Sequence, residues 1–251
     1  MLGLSKKKEI NLEEQVIIEK QKKDMYQKLS DNLDNIFLLN STSFSKESLI
    51  NIINAFLQNS IEIMEQNKDN QVALLHFNLS KLFEILIVNL NRFNLIWNAF
   101  SKIAGDITIR QMKQISHYSI DILTISIIFI LNLNIYNLKN NEKIGQISQD
   151  KLISSLCEIS SKNISQDINL NIIYNISFLL NNAAKLFDTN GWNGFFKTIH
   201  NLIIYQDEAQ NENCFSILER IFDNYLNSIS PENISVIMEV IESFIAYKKI
   251  M

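Results

Sequence analysis

Three kinds of side chain in this sequence could hold a metal or break a bond. The histidines are His76, His117 and His200. None has a second histidine or cysteine three or four residues away, the spacing that lets one helix aim two ligands at an ion. Each therefore reads as a helix-surface or half-buried histidine. Cys157 and Cys214 sit far apart inside apolar helical patterns. They read as reduced, buried thiols of a reducing compartment. Serine, histidine and aspartate all occur, but no nucleophile elbow places them. Gly191-Trp192-Asn193-Gly194 lacks both the Gly-x-x-x-x-Gly-Lys pattern and a preceding strand, so it is no phosphate loop. The residues predict no catalytic, cofactor or metal site, and a protein that is not an enzyme.

The elements that would position such residues are helices. Hydrophobic residues make up 47% of the 251 residues and charged ones 20%, enough apolar mass for a large core and too much for gross disorder. With 5 glycines and 1 proline, the chain is short of the turn residues that strands demand, which favours helices joined by polar links. Asparagine and isoleucine are over-represented, and neither is a strong helix former. Periodicity must carry the assignment, and the asparagines are expected mostly as filler on wet faces. A net charge of −4 argues against an electrostatic grip on nucleic acid. Lys6, Lys7 and Lys8 are followed by no apolar stretch, so no signal peptide is expected. The run Ile120 to Leu133 is broken by Asp121, Thr124, Ser126 and Asn132 and reads as a buried helix, not a membrane span.

The densest apolar stretch is Ser80 to Gly105. It predicts two successive helices covered on most of their circumference, with a break near Asn89-Leu90-Asn91-Arg92 and Gly105 as a left-handed C-terminal cap. Before it, Glu9 to Ser30 reads as a charged, solvated first helix. Ser45 reads as the N-cap of a helix carrying Leu49, Ile53, Phe56 and Met64. After it come a helix from Thr108 to Leu133, a loop from Asn137 to Gly145, and helices over Gln149 to Ser160 and Gln166 to Phe187. Asp188 to Gly191 reads as a turn leading to Trp192, Phe195 and Phe196. Ser230-Pro231-Glu232 starts a last helix whose buried face is expected at Ile234, Ile237, Met238, Ile241, Phe244 and Ile245.

These are about nine or ten helices, and two helices with their links recur roughly every 40 residues, the period of HEAT or armadillo arrays. The expected fold is all-α, a HEAT/armadillo-like α-solenoid over residues 45–251, preceded by a charged helix and linker over 1–44. A globular bundle is the competing arrangement. Short links between so many helices favour the stacking of neighbours.

Several ordered segments carry a family resemblance. They are Leu49-Ile50-Asn51, Ser60-Ile61-Glu62-Ile63-Met64, Lys81-Leu82-Phe83-Glu84, Asn89-Leu90-Asn91-Arg92-Phe93 and Leu95-Ile96-Trp97. Tyr118 to Leu123, with Asp121 between apolar residues, and Asn190 to Phe196, with Gly191, Trp192 and Phe195, follow in the same order. Together they resemble the C-terminal helical repeats of the large, brefeldin-A-inhibited Arf guanine-nucleotide exchange factors. The resemblance is stronger to their Golgi relative Mon-two, which has no exchange domain. It implies a non-catalytic scaffold of Golgi and endosome vesicle transport. Such a protein would be cytoplasmic, peripheral at those membranes and self-associating, with trafficking proteins and Arf-family GTPases as partners and no cofactor. It also implies that Asn89, Asn91, Arg92, Trp97, Asp121, Gly191, Trp192 and Phe195 are motif residues with a structural role. A regulatory fragment of an exchange factor and an unrelated HEAT-repeat adaptor are the alternatives.

Overall fold

A computed structural model of the chain describes residues 35–66, 72–110, 112, 115–139, 147–162, 164–203 and 208–250. The charged helix expected over Glu9 to Ser30 and the centre of the loop after Asn137 lie outside the described residues. Among the described residues there is no strand, and the secondary structure is helical. The long helices are α1 (Lys46–Gln66), α2 (Val72–Val88), α3 (Phe93–Ile109), α4 (Ser116–Lys139), α5 (Gln149–Ser160), α6 (Gln166–Ala183), α7 (Thr189–Ile203), α8 (Glu208–Tyr225) and α9 (Ile234–Ile250).

Local chemistry fixes several boundaries. The Ser48 amide donates to Ser45 Oγ at 3.0 Å, which caps α1. Between α2 and α3 the chain makes a short 3-10 turn over Leu90–Arg92, and the two axes are bent by 103°. Asn89 stabilises that corner: its Nδ2 donates back to the Ile85 carbonyl at 3.0 Å, supplying a partner where the helix ladder stops. Asp188 Oδ1 accepts from the Gly191 amide at 2.8 Å and so caps α7. Ser230 Oγ accepts from the Glu232 amide, starting a 3-10 turn over Pro231–Asn233 that leads into α9.

The helices pack in two layers. In one, α1 lies on α3, α3 on α5, α5 on α7 and α7 on α9. In the other, α4 lies on α6 and α6 on α8. α2 reaches α4 through His76, whose ring stacks on Tyr118 with centroids 3.9 Å apart. Consecutive helices join the two layers. Hydrogen bonds within each layer show that the helices in it run the same way. Trp97 pairs with Lys151, Asp121 with Asn175, Cys157 with Asn201, Ser177 with Arg220 and Thr189 with Asn233, always between residues 43 to 54 apart. One continuous core runs through the array, including Leu82, Ile85, Leu86, Ile96, Phe100, Ile103, Leu123, Ile127, Leu156, Ile172, Trp192, Phe196 and Val240. Burying each such aliphatic side chain contributes about 1.5–3 kcal/mol.

Several expectations are corrected. Gly105 does not end a helix: α3 continues to Ile109, and Gly105 is a buried position against Ile159 of α5. The single helix expected from Thr108 to Leu133 is two, because α3 stops at Ile109 and α4 begins at Ser116. Gly191 lies within the first turn of α7, not in a loop. Helix α9 buries Val236, Ile237 and Val240, while Ile234, Met238 and Ile245 are exposed. Of the segment 1–44, residues 35–44 are described, and they pack onto α1 and α2: Phe37 meets Phe56 edge to face at 5.4 Å, and Ser41 is buried. The stretch Ser116–Leu133 is apolar and long enough to cross a membrane, yet 56% of it is buried among the other helices.

Among the described residues most asparagines lie on exposed faces, as expected, but a minority have a second role. Asn78 donates to Asn59 and Ser60, joining α2 to α1. Asn175 joins α6 to α4, Asn201 joins α7 to α5, and Asn233 reaches the first residue of α7. These side chains are buried or half-buried and bridge elements; they do not merely coat wet faces.

Glycines set the closest approach in the array. A methyl group at Gly194 would come within 2.9 Å of Ile153 Cγ2, so α7 lies against α5 only because that methyl is absent. At Gly105 the same atom would make an ordinary 3.7 Å contact with Ile159. Gly194→Ala is therefore expected to lower stability by about 1–3 kcal/mol. Gly105→Ala should raise it by about 0.5–1 kcal/mol through the lost flexibility of the unfolded chain. Urea unfolding followed by circular dichroism measures both; equal effects would contradict this account.

Candidate functional site

Asn89 is buried, and its Nδ2 also donates to Ser41 Oγ at 2.8 Å. Arg92 donates through Nη1 to the Phe44 carbonyl at 2.7 Å and through Nη2 to that of Thr42 at 3.2 Å. It clamps the segment that leads into α1. Asn91 is exposed beside it. Trp97 is buried, stacks on Phe93 at 5.3 Å and donates through Nε1 to the Lys151 carbonyl in the first turn of α5 at 3.1 Å. Asp121 accepts from Asn175 at 2.8 Å. Gly191, Trp192 and Phe195 are buried in α7, where Trp192 meets Phe187 edge to face at 5.1 Å. The eight residues do not converge on one point. They are distributed along the array, and most of them join one element to the next.

The residues that could carry chemistry are also dispersed. His117 Nε2 lies 2.9 Å from Asp167 Oδ2, an exposed link between α4 and α6. His76 packs on Tyr118, and His200 is half-buried in α7. Among the described residues no group of three or more His, Cys, Asp or Glu could hold a metal ion. Both cysteines are free. Burial pushes the Cys157 thiol up despite the nearby Lys197 ammonium and the hydrogen bonds of Asn201 and Thr198. Burial alone pushes the Cys214 thiol up to about 12. Neither is an activated nucleophile, which needs a lowered pKa.

What the array offers is surface. On α4, Ile125 and Phe129 are exposed four residues apart, and on α6 so are Tyr174 and Phe178. The two helices lie side by side and parallel, so these four exposed side chains belong to one layer, Tyr174 at the groove between α6 and α8. Such an apolar patch is a feature of interaction surfaces. The opposite layer carries a groove between α3 and α5, about 430 Å³, with Trp97, Gly105 and Ile159 in its wall. At its end, where the first turns of α1, α3 and α5 meet, lies a cleft of about 660 Å³. Sequence reasoning missed both surfaces. The i, i+4 spacing of Ile125 with Phe129 was the available signal for the first. The second is built from three distant segments and left none.

No protein-family model and no curated protein matches this chain.

Two outcomes are expected. Arg92→Ala removes two charge-assisted bonds and should cost about 2 kcal/mol. Amide hydrogen exchange should rise selectively at residues 41–44; uniform loss of protection would mean the clamp is not local. For Cys214, both folded and unfolded chains hold the thiol proton below its ordinary value of 9.0. Above that the unfolded chain ionises first. The unfolding free energy should therefore fall as pH rises from 9.0 toward about 12, with Cys214 unreactive to iodoacetamide in the native chain.

Proposed function

We propose that this chain is a non-catalytic scaffold of the HEAT/armadillo-like α-solenoid kind, acting in Golgi and endosome vesicle transport within the Arf pathway. The observation that carries the architectural half is the repeated same-direction stacking in both layers, with pairings 43 to 54 residues apart in sequence. Each helix pair shelters the apolar side of the next, the organising rule of repeat arrays. The pathway rests on the ordered segments from Leu49 to Phe196 that resemble the Mon-two and exchange-factor repeats.

In this reading the protein works by presenting surface. The patch of Ile125, Phe129, Tyr174 and Phe178 offers three aromatic rings and one aliphatic anchor to a protein partner. The partners are trafficking factors, Arf-family GTPases among them. The protein is cytoplasmic and peripheral at Golgi and endosome membranes, and it self-associates. It binds no nucleic acid and carries no cofactor.

Purified Arf-type GTPase should bind the full chain, and Ile125→Asp with Phe178→Asp should weaken binding at least about tenfold. The chain alone should not accelerate nucleotide release from the GTPase. Acceleration above background would move it to the exchange-factor reading, and absence of binding would remove the Arf pathway from the proposal.

A further inference from the structure

We propose that the cleft at the meeting of α1, α3 and α5 binds a phosphate ester carried on a small organic body. This inference stands on the cleft alone and does not depend on the trafficking reading.

Three cationic side chains line the cleft, Lys46, Arg92 and Lys151, and among the described residues no acidic side chain does. Among the described residues none of the three makes an ion pair. In a chain of net charge −4, three unneutralised cations around one cavity concentrate positive potential where low-dielectric walls focus it. Their geometry is partly fixed. Arg92 is held by the Phe44 and Thr42 carbonyls, which uses two of its five N–H groups. Lys151 Nζ donates to Asn94 Oδ1 at 2.8 Å, leaving two protons for a ligand.

The backbone adds to this. Lys46, Phe93 to Leu95, and Ile147, Ser148 and Lys151 bring the starts of three helices to the same cavity. The α5 N-cap, Ser148, makes no side-chain capping bond, and the α3 N-cap is Arg92, whose side chain has no oxygen to offer. The Phe93 amide is taken up by the Leu90 carbonyl of the preceding 3-10 turn, so it is the first-turn amides of α5 that are left for another acceptor, and the dipole of that helix favours an anion there. A volume of about 660 Å³ is far more than inorganic phosphate fills, and buried Phe93 and Ile147 form an apolar wall suited to a carbon frame. Three cations call for at least two negative charges, which a phosphate ester supplies. A soluble phosphorylated metabolite and a lipid headgroup share this chemistry.

The test uses the full chain. Isothermal titration with inositol trisphosphate and with inorganic phosphate reads the soluble arm. Co-flotation with phosphatidylcholine vesicles, with and without phosphatidylinositol monophosphate, reads the lipid arm. The expected result is binding of inositol trisphosphate, of the phosphoinositide vesicle, or of both, falling with salt. Lys46→Ala with Lys151→Ala should weaken it at least about tenfold. Lys162→Ala, an exposed lysine beyond the opposite end of α5, should leave it unchanged. Unaltered circular dichroism and melting of the double variant exclude misfolding, since neither lysine is buried. Binding in one arm only identifies the source of the phosphate. No binding in either arm, equal binding by the double variant, or equal displacement by polyglutamate would overturn the proposal.

Discussion

Three buried or half-buried amides, those of Asn78, Asn175 and Asn201, take their partners from a neighbouring helix. Leaving a buried polar group unpaired costs about 1–3 kcal/mol, comparable to the gain from burying a whole leucine. Asn175 meets Asp121 only when α6 lies in one register along α4. Asn201 meets the Cys157 carbonyl and Ser160 only in one register of α7 along α5. Apolar contacts between helices tolerate sliding by a turn; these contacts do not. The hydrophobic residues supply the driving force for stacking, and the amides select the alignment.

Helix α5 shows how the two effects combine. It spans only Gln149–Ser160, too short to be stable by itself. It is held from one side by Trp97, whose indole N–H bonds the Lys151 carbonyl, and from the other by α7, which comes close because Gly194 has no side chain. Gln149 adds a strap, donating through Nε2 to the Leu186 carbonyl and accepting from the Asp188 amide. The shortest helix thus sits at the most constrained place. The cleft at its N-terminus inherits that rigidity, because Lys151 and Ser148 belong to the same first turn.

Much of the fold was legible in the residues. The corner at Asn89 to Arg92, the Ser45 cap and the bounds of α5 all follow from local chemistry that needs no neighbours. What was not legible depended on neighbours. Gly105 and Gly191 carry the usual marks of helix ends, yet both lie within helices, and of the two only Gly191 sits where a methyl group would be crowded. Most described asparagines are solvated, as expected, but composition cannot say which few, such as Asn175 and Asn201, face a neighbouring helix. Ile234, Met238 and Ile245 fit a three-four stripe as well as Val236, Ile237 and Val240 do, and only the position of α7 chooses between them. The candidate surfaces were the least legible part. Lys46, Arg92 and Lys151 belong to three separate helix starts, and nothing in their local sequence marks them as a set.

The bonds that join helices within a layer link residues no more than 57 positions apart, and those joining the first two helices 18 or 19. Contact order is therefore low for a chain of this size. Ordering any one pair closes only a short loop, whose entropic cost grows slowly with length. Assembly can begin at whichever pair forms first and spread in both directions, and unfolding can stall part-way. Heating should accordingly meet several weakly coupled transitions in place of a single all-or-none step.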